Sequence, residues 1–267
     1  TNRPELYNLA WEKSLPMVAR RADCYGLTER LLYDGSVLRC LKDEEIRGLM
    51  AELRAGEYDA VAVCLLFSFL NPSHEIELKR RFEEEMPELP CSISSEVAPI
   101  WREYDRASST IADAFVKPVV SNYVRQLRSG LSEIDVPASL MVMKSNGGMM
   151  SSTNCEAAPI QSMMSGPAGG MIACQAIADA LDIHKVLTMD MGGTSCDVGI
   201  IVGGEQKLTT QYEIEFGLTV SIPMIDIRTI GAGGGSIAWI DNGGFLQVGP
   251  HSAGADPGPA CYGLGGQ

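Results

Sequence analysis

Apolar residues recur at helical spacing from Leu41 to Leu53 (Leu41, Ile46, Leu49, Met50, Leu53), with Gly56 as a stop, so the spacing predicts an amphipathic helix. Tyr58 to Phe69 is apolar almost throughout and predicts a buried strand. Asn71-Pro72-Ser73 turns the chain and caps a helix whose Ile76, Leu78, Phe82 and Met86 form one stripe on a charged stretch, ended by Pro87. Cys91-Ser92-Ile93-Ser94 predicts a short strand. Residues 41–95 thus alternate helix, strand, helix, strand, the pattern of a layered α/β domain. From Asp105 to Leu131 apolar positions return every three or four residues (Ile111, Phe115, Val119, Tyr123, Val124, Leu127), one long helix or two that Pro118 kinks or divides. Ser139 to Met143 predicts a strand running into the glycine turn at 144–148, and open α/β sheets bind ligands at such carboxyl ends.

Beyond Gly147 the pattern changes, because nearly all of the clustered glycines lie there. Ser165-Gly166-Pro167-Ala168-Gly169-Gly170 leads into an Ala-rich helix through Leu181, an arrangement suited to an anion at the helix start. Residues 185–204 read as two apolar strands joined by Gly192-Gly193-Thr194, with Asp190 and Asp197 bracketing the tip. Successive glycine amides in a turn can form a nest for phosphate oxygens, and one of the two aspartates is placed to take part in holding a divalent ion. Asp and Gly also serve as plain turn formers, and the spacing does not separate the two readings. Further on come Ile225 to Ile230, the glycine run 231–235, a strand at 237–240, an Asp241-Asn242-Gly243-Gly244 turn and a last strand at 245–248.

Charge narrows the partners. Lys+Arg 21 against Asp+Glu 34 leaves a net charge of −13, which gives little field to attract a phosphate backbone. The one basic cluster, Lys79-Arg80-Arg81, falls on a predicted helix, and no nucleic-acid partner is expected. The apolar run 60–70 is about half the roughly 20 residues of a membrane helix. With no membrane segment and no signal-like start, the expected compartment is the cytoplasm. The eight cysteines stand singly and are expected to be mostly buried thiols, and the three histidines are too far apart in sequence for a zinc motif. Arg102, Asp105 and Arg106 read as solvated ion pairs at a helix start, and His251 as a polar loop residue.

The segment 190–198, DMGGTSCDV, closely resembles the second phosphate-binding hairpin of the hydantoinase A / 5-oxoprolinase family, whose pattern reads DMGGTSTDV. Other landmarks follow in the family's order: REYDRASS at 102–109, KSNGG at 144–148, SGPAGG at 165–170, IGAGGGSIA at 230–238 and VGPHSAGADPGPACYG at 248–263. The first hundred residues are similar too, through Glu29-Arg30 and CLLFSFLNPSHE at 64–75. The resemblance implies an α/β actin-like ATPase fold: two ribonuclease H-like lobes of mixed sheets flanked by helices, the first incomplete here, with residues 1–95 its remainder and 96–267 the core with the phosphate hairpin. The implied cofactors are ATP with Mg²⁺ or Mn²⁺. The implied catalytic residues are Asp190 and Asp197, with Asp190 the metal ligand. Gly192, Gly193, Thr194, Ser195, Gly233, Gly234, Gly235, Asn146, Gly147 and Gly166 would bind the cofactor.

The implied activity is part of an ATP-dependent hydrolase that opens a cyclic amide by phosphoryl activation of a carbonyl oxygen. The alternatives are a subunit of an ATP-dependent ketone carboxylase or a non-catalytic nucleotide-binding or assembly module. The implied partners are a small cyclic amide or ketone and a hydantoinase B-type subunit or domain. Two departures from the family pattern stand out. Cys196 replaces the usual Thr, and no first hairpin of the form DVGGTFTD occurs, so the sequence reads as an internal fragment with little activity alone.

Overall fold

In the computed structural model, which describes residues 19–215, 217–241 and 243–266, the predicted helix and strand alternation forms with shorter strands. The chain divides into two units: residues to Val142 with 149–163 and 210–223, and residues 143–148 with 164–209 and from Met224 onward. Residues 96–142 belong to the first unit.

In unit 1, α1 (Asp43–Ala55) carries three acidic residues in its first turn, which suits the positive end of a helix. β1 (Val61–Val63) pairs in parallel with β2 (Cys91–Ile93), joined by α2 (Ser73–Glu85). Ile46, Met50, Leu53, Val63, Leu78, Phe82, Met86, Leu89, Cys91 and Ile93 form the core between these elements. The apolar run 58–69 is not one strand. β1 ends at Val63, and the Leu65 amide leaves the ladder to donate to Glu75 Oε1 at 2.8 Å. Phe67 then takes a left-handed turn at φ 60°. Ile76 is exposed, so the α2 stripe is narrower than its spacing suggests. Lys79, Arg80 and Arg81 are each paired with carboxylates, among them Glu96, Glu84 and Glu85.

The third helix, α3 (Glu103–Glu133), is a single element of 31 residues with Pro118 inside it. Its buried side matches the expected one only in part, at Val124, which packs with Met150 and Cys155. Phe115, Val119 and Tyr123 are 69%, 74% and 63% exposed, whereas Arg106, Asp113 and Lys117 are buried. The buried charges have partners from distant segments. Asp113 accepts from Ser92 Oγ at 2.6 Å, from the Ile160 amide at 3.0 Å and faces Lys117 Nζ at 3.3 Å. Arg106 donates to the carbonyls of Ile100 and Leu65 and lies 5.4 Å from the centre of the Phe69 ring. Arg106 is thus no solvated surface pair, but a brace for the turn after β1.

In unit 2, β3 (Lys185–Met191) and β4 (Cys196–Val202) form the predicted hairpin. β5 (Ile227–Ile230) adds to the free edge of β4. α4 (Ser165–Ala180) covers one face, burying Ala168 and Met171 against Ile201, Ile225 and Ile227. The opposite face is open: Leu187 and Met189 are each 70% exposed. β6 (Ser236–Ile240) and β7 (Leu246–Ser252) make a second hairpin, the last strand running four residues further than its sequence suggests. Asn242, in its expected turn, lies outside the described residues, as do residues 1–18.

All eight cysteines are free, but only Cys91, Cys155 and Cys196 are buried, while Cys24, Cys40 and Cys261 are exposed, so most are not buried thiols. Burial pushes the Cys91 thiol up to about 12, which keeps it protonated. Among the described residues no helix is long and apolar enough to cross a membrane.

Candidate functional site

Every residue singled out as a nucleotide or metal contact falls in unit 2: Asn146, Gly147, Gly166, Asp190, Gly192 to Ser195, Asp197 and Gly233 to Gly235. Arg102 and Asp105 lie in unit 1, with Arg102 over the Trp101 ring and Asp105 accepting from Gln211.

Strand register explains the pairing of the two aspartates. Asp190 is opposite Asp197 across β3 and β4, and Asp197 is opposite Thr229 across β4 and β5. Residues directly opposite in antiparallel strands share a face, and their Cβ atoms lie about 4.5–5.5 Å apart. This face is the one α4 covers, because Val186, Ile201 and Ile227 alternate onto it. Two like charges side by side repel, so the pair opposes folding unless a cation or a donor relieves it. Thr229 Oγ1 donates to Asp197 Oδ1 at 2.6 Å and is the pair's one side-chain donor among the described residues. Thr229 escaped the sequence reading, and only the strand register reveals it.

No group of three His, Cys, Asp or Glu side chains able to hold a metal ion occurs among the described residues. This donor set fits Mg²⁺, or Mn²⁺ by the same oxygen ligands, because Mg²⁺ keeps several waters and binds through one or two carboxylates together with substrate phosphates. A protein-only cage is not required.

The tip beyond the aspartates is an open four-residue turn closed by the Gly192 amide, which donates to the Ser195 carbonyl at 2.9 Å. The carbonyls of Gly192 and Gly193 accept from Gly234 and Gly235 at 2.9 and 2.7 Å. The amides of Gly193, Thr194 and Ser195 have no acceptor among the described residues. An anion can take them. In the glycine loop the reverse holds, since Gly233 donates to Ser236 Oγ at 2.8 Å and Gly234 and Gly235 donate to the hairpin. The loop meets the tip, and the amides of Gly233 to Gly235 are already taken and keep no donor for a phosphate. Cys196 is buried in β4 opposite Met191, its side chain on the face away from the aspartates.

Gly166 starts α4, whose N-cap Met164 is left-handed at φ 60° and offers no side-chain cap. Met171 accepts from Thr188 Oγ1 at 2.9 Å, and Gln175 reaches the Gly204 carbonyl beyond the far end of β4. The helix therefore directs its N-terminus, the positive end of its dipole, toward the end of the sheet where the hairpin tip lies. The KSNGG turn packs on the same helix. Asn146 Oδ1 accepts from the Gly148 amide at 3.0 Å, and Gly147 sits at φ 83° with no room for a side chain, since a Cβ would meet Ile172 Cδ1 at 2.7 Å. Gly147→Ala is expected to cost about 1–3 kcal/mol from backbone strain and displacement of Ile172, read from a urea transition. A cost near zero would show that the turn is free to move off α4. His251 belongs to β7, where its ring meets Trp239 edge-on at 5.8 Å, a packing position in a strand and not a loop.

Residues 106–267 match the family described as Hydantoinase/oxoprolinase, and residues 1–86 match the Hydantoinase/oxoprolinase N-terminal region. The chain is 35% identical to caprolactamase subunit alpha of Pseudomonas jessenii over 89% of this chain and 34% of that one. The crystal structure of the ATP-dependent caprolactamase from that organism superposes with a TM-score of 0.83 at 33% identity, covering 97% of this chain and 37% of the other. The 5-oxoprolinase of Saccharomyces cerevisiae is 35% identical over 87% of this chain and 18% of its own. The acetophenone carboxylase gamma subunit of Aromatoleum aromaticum is 32% identical over 95% of this chain and 35% of its own. This chain thus spans between 18% and 35% of the length of these three relatives.

Proposed function

Because this chain belongs to the hydantoinase/oxoprolinase family, we propose that its second unit supplies one side of a Mg²⁺–ATP site in an enzyme that opens a cyclic amide. The observation that carries the proposal is the hairpin tip, where adjacent unpaired amides at Gly193 and Thr194 lie just beyond the facing carboxylates of Asp190 and Asp197. In this reading the fold is actin-like, of two ribonuclease H-like lobes.

Each residue then has a defined task. The Gly193, Thr194 and Ser195 amides donate to phosphate oxygens, which backbone groups can do without reorganising. Asp190 would hold the divalent ion and Asp197 would share its charge with it, while Thr229 keeps the Asp197 carboxylate oriented. The start of α4 at Gly166 adds the positive end of a helix dipole. The KSNGG turn, with Asn146 and Gly147, forms the rim. When bound, ATP would supply a phosphoryl group to the amide oxygen, which makes the carbonyl carbon electrophilic enough for water to add and the ring C–N bond to break, the phosphate being released afterwards, and Mg²⁺ or Mn²⁺ would neutralise the phosphate charge. Positioning is the larger part of such catalysis.

The relatives named as subunits support a partner subunit and a small lactam or ketone as substrate; in this reading the partner is a hydantoinase B-type subunit or domain and the compartment the cytoplasm, where ATP is available. The similarity to an acetophenone carboxylase subunit supports ATP-dependent ketone carboxylation as the second reading. The test is phosphate release by the full-length protein with its partner and Mg-ATP, offered 5-oxoproline, hydantoin or caprolactam, or acetophenone with labelled bicarbonate. Lactam-dependent release is the expected result. Release only with ketone and bicarbonate establishes the carboxylase, and ATP binding without turnover on any substrate establishes a binding module. No Mg-ATP binding at all would overturn the site itself.

A further inference from the structure

Two sets of adjacent glycines meet at the site, and their hydrogen bonds give them different tasks. Gly234 and Gly235 donate to the carbonyls of Gly192 and Gly193 at 2.9 and 2.7 Å, and Gly233 donates to Ser236 Oγ at 2.8 Å. In a trans peptide the C=O of one residue and the N–H of the next point to opposite sides of the chain. Among the described residues only the bonds before Pro250 and Pro257 are cis, so those following Gly192 and Gly193 are trans. With the Gly192 carbonyl turned onto the loop, the Gly193 N–H is turned away from it. With the Gly193 carbonyl held likewise, so is the Thr194 N–H. Two consecutive amides are thereby made to point the same way, the arrangement an anion nest requires. The hydrogen bond inside the tip, from Gly192 N to Ser195 O, fixes neither of these peptide planes.

We propose that the 231–235 loop is a positioning clamp: it does not touch the nucleotide but sets the orientation of the Gly193 and Thr194 amides that do. The inference rests on the nucleotide reading above and goes beyond it by assigning the loop an indirect role. Close fit supports it independently. A Cβ at Gly233 would lie 2.6 Å from both Gly193 C and Thr194 N and 2.7 Å from Gly192 O, whereas at Gly234 the nearest atom, Gly192 O, is 3.8 Å away. The clamp is braced from behind, as the Ala253 amide donates to the Gly235 carbonyl at 2.8 Å and Gly249 packs against the Gly231 carbonyl. The two late glycine motifs, 230–238 and 248–254, thus form one support for the hairpin tip.

The experiment compares Gly233→Ala, Gly234→Ala, Ser236→Ala and Ser236→Thr in the full-length protein, by calorimetric titration of Mg-ATP and hydrogen exchange of peptides spanning 190–197. Gly233→Ala is expected to weaken Mg-ATP by about tenfold or more, the effect of misaligning one or two charge-assisted hydrogen bonds, and to abolish ATP-induced protection of 192–196. Gly234→Ala, whose Cβ would come no nearer than 3.8 Å to the tip, should weaken binding clearly less than Gly233→Ala. Ser236→Ala loosens the loop without adding bulk, so it covers the case in which Gly233→Ala does not fold. It should weaken binding several-fold, and Ser236→Thr should restore it. Native-like binding by both Gly233→Ala and Ser236→Ala would overturn the clamp. A loss with Gly234→Ala equal to that with Gly233→Ala would overturn it in favour of direct contact. Thr194→Pro separates this proposal from the reading beneath it. If it binds Mg-ATP normally the phosphate site itself is wrong, and if it alone loses binding only the clamp is.

Discussion

Replacing Asp190 by Asn in the full-length protein is expected to lower ATP-dependent turnover by about 10²–10³-fold, the usual effect of removing one preorganised electrostatic group from a transition state. The same change should leave the melting temperature unaltered or raise it slightly. The reason is the strand register, which sets Asp190 directly opposite Asp197 on one face of the sheet. Facing like charges cost a folded sheet some stability, so neutralising one of them relieves repulsion while removing a metal-holding oxygen. Activity and stability therefore move in different directions. Parallel measurement of steady-state phosphate release and thermal unfolding checks both, and a well-folded Asp190→Asn enzyme with native turnover would remove Asp190 from the site.

The second large effect lies in unit 1 and is one of stability. Glu75 is fully buried, and its carboxylate accepts three hydrogen bonds: from the Leu65 amide at 2.8 Å, Ser94 Oγ at 2.7 Å and the Ser95 amide at 2.8 Å. Bonds to a charged acceptor contribute about 1.5–3 kcal/mol each, and truncating the acceptor leaves buried donors unpaired. Glu75→Ala is expected to destabilise the protein by about 3–5 kcal/mol, the range for breaking a buried charged network. Glu75→Gln, which keeps one oxygen but sets an NH₂ against a donor, should fall between Ala and native. Chemical denaturation measures both. A loss below about 1 kcal/mol for Glu75→Ala would mean that the turn after β1 holds without the carboxylate.

The same carboxylate shows where sequence patterning stops being informative. The run from Tyr58 to Phe69, apolar but for Asp59 and Ser68, reads as one strand, since it holds no glycine or proline to end it. The strand ends at Val63 because a group ten residues away offers the Leu65 amide a charged acceptor. Periodicity likewise located α3 and the buried Val124 but misplaced the rest of its buried side. Phe115, Val119 and Tyr123 face outward while Asp113 and Lys117 face inward, because their partners Ser92, Ile160 and Cys91 come from other parts of the chain.

What the sequence determined by itself is what depends on local chemistry. The spacing of Ile46, Met50 and Leu53 specifies α1, Gly192-Gly193-Thr194 specifies a tight tip between two strands, and the order of the glycine motifs identifies the family. Only the tertiary structure decided which carboxylates face each other, that Thr229 bonds Asp197, and that the amides of Gly233 to Gly235 are taken by Ser236 and the hairpin and so unavailable to a ligand. The physical reason is that a residue's identity states which donors and acceptors it carries, while burial and strand register, set by contacts distant along the chain, state which of them are already satisfied.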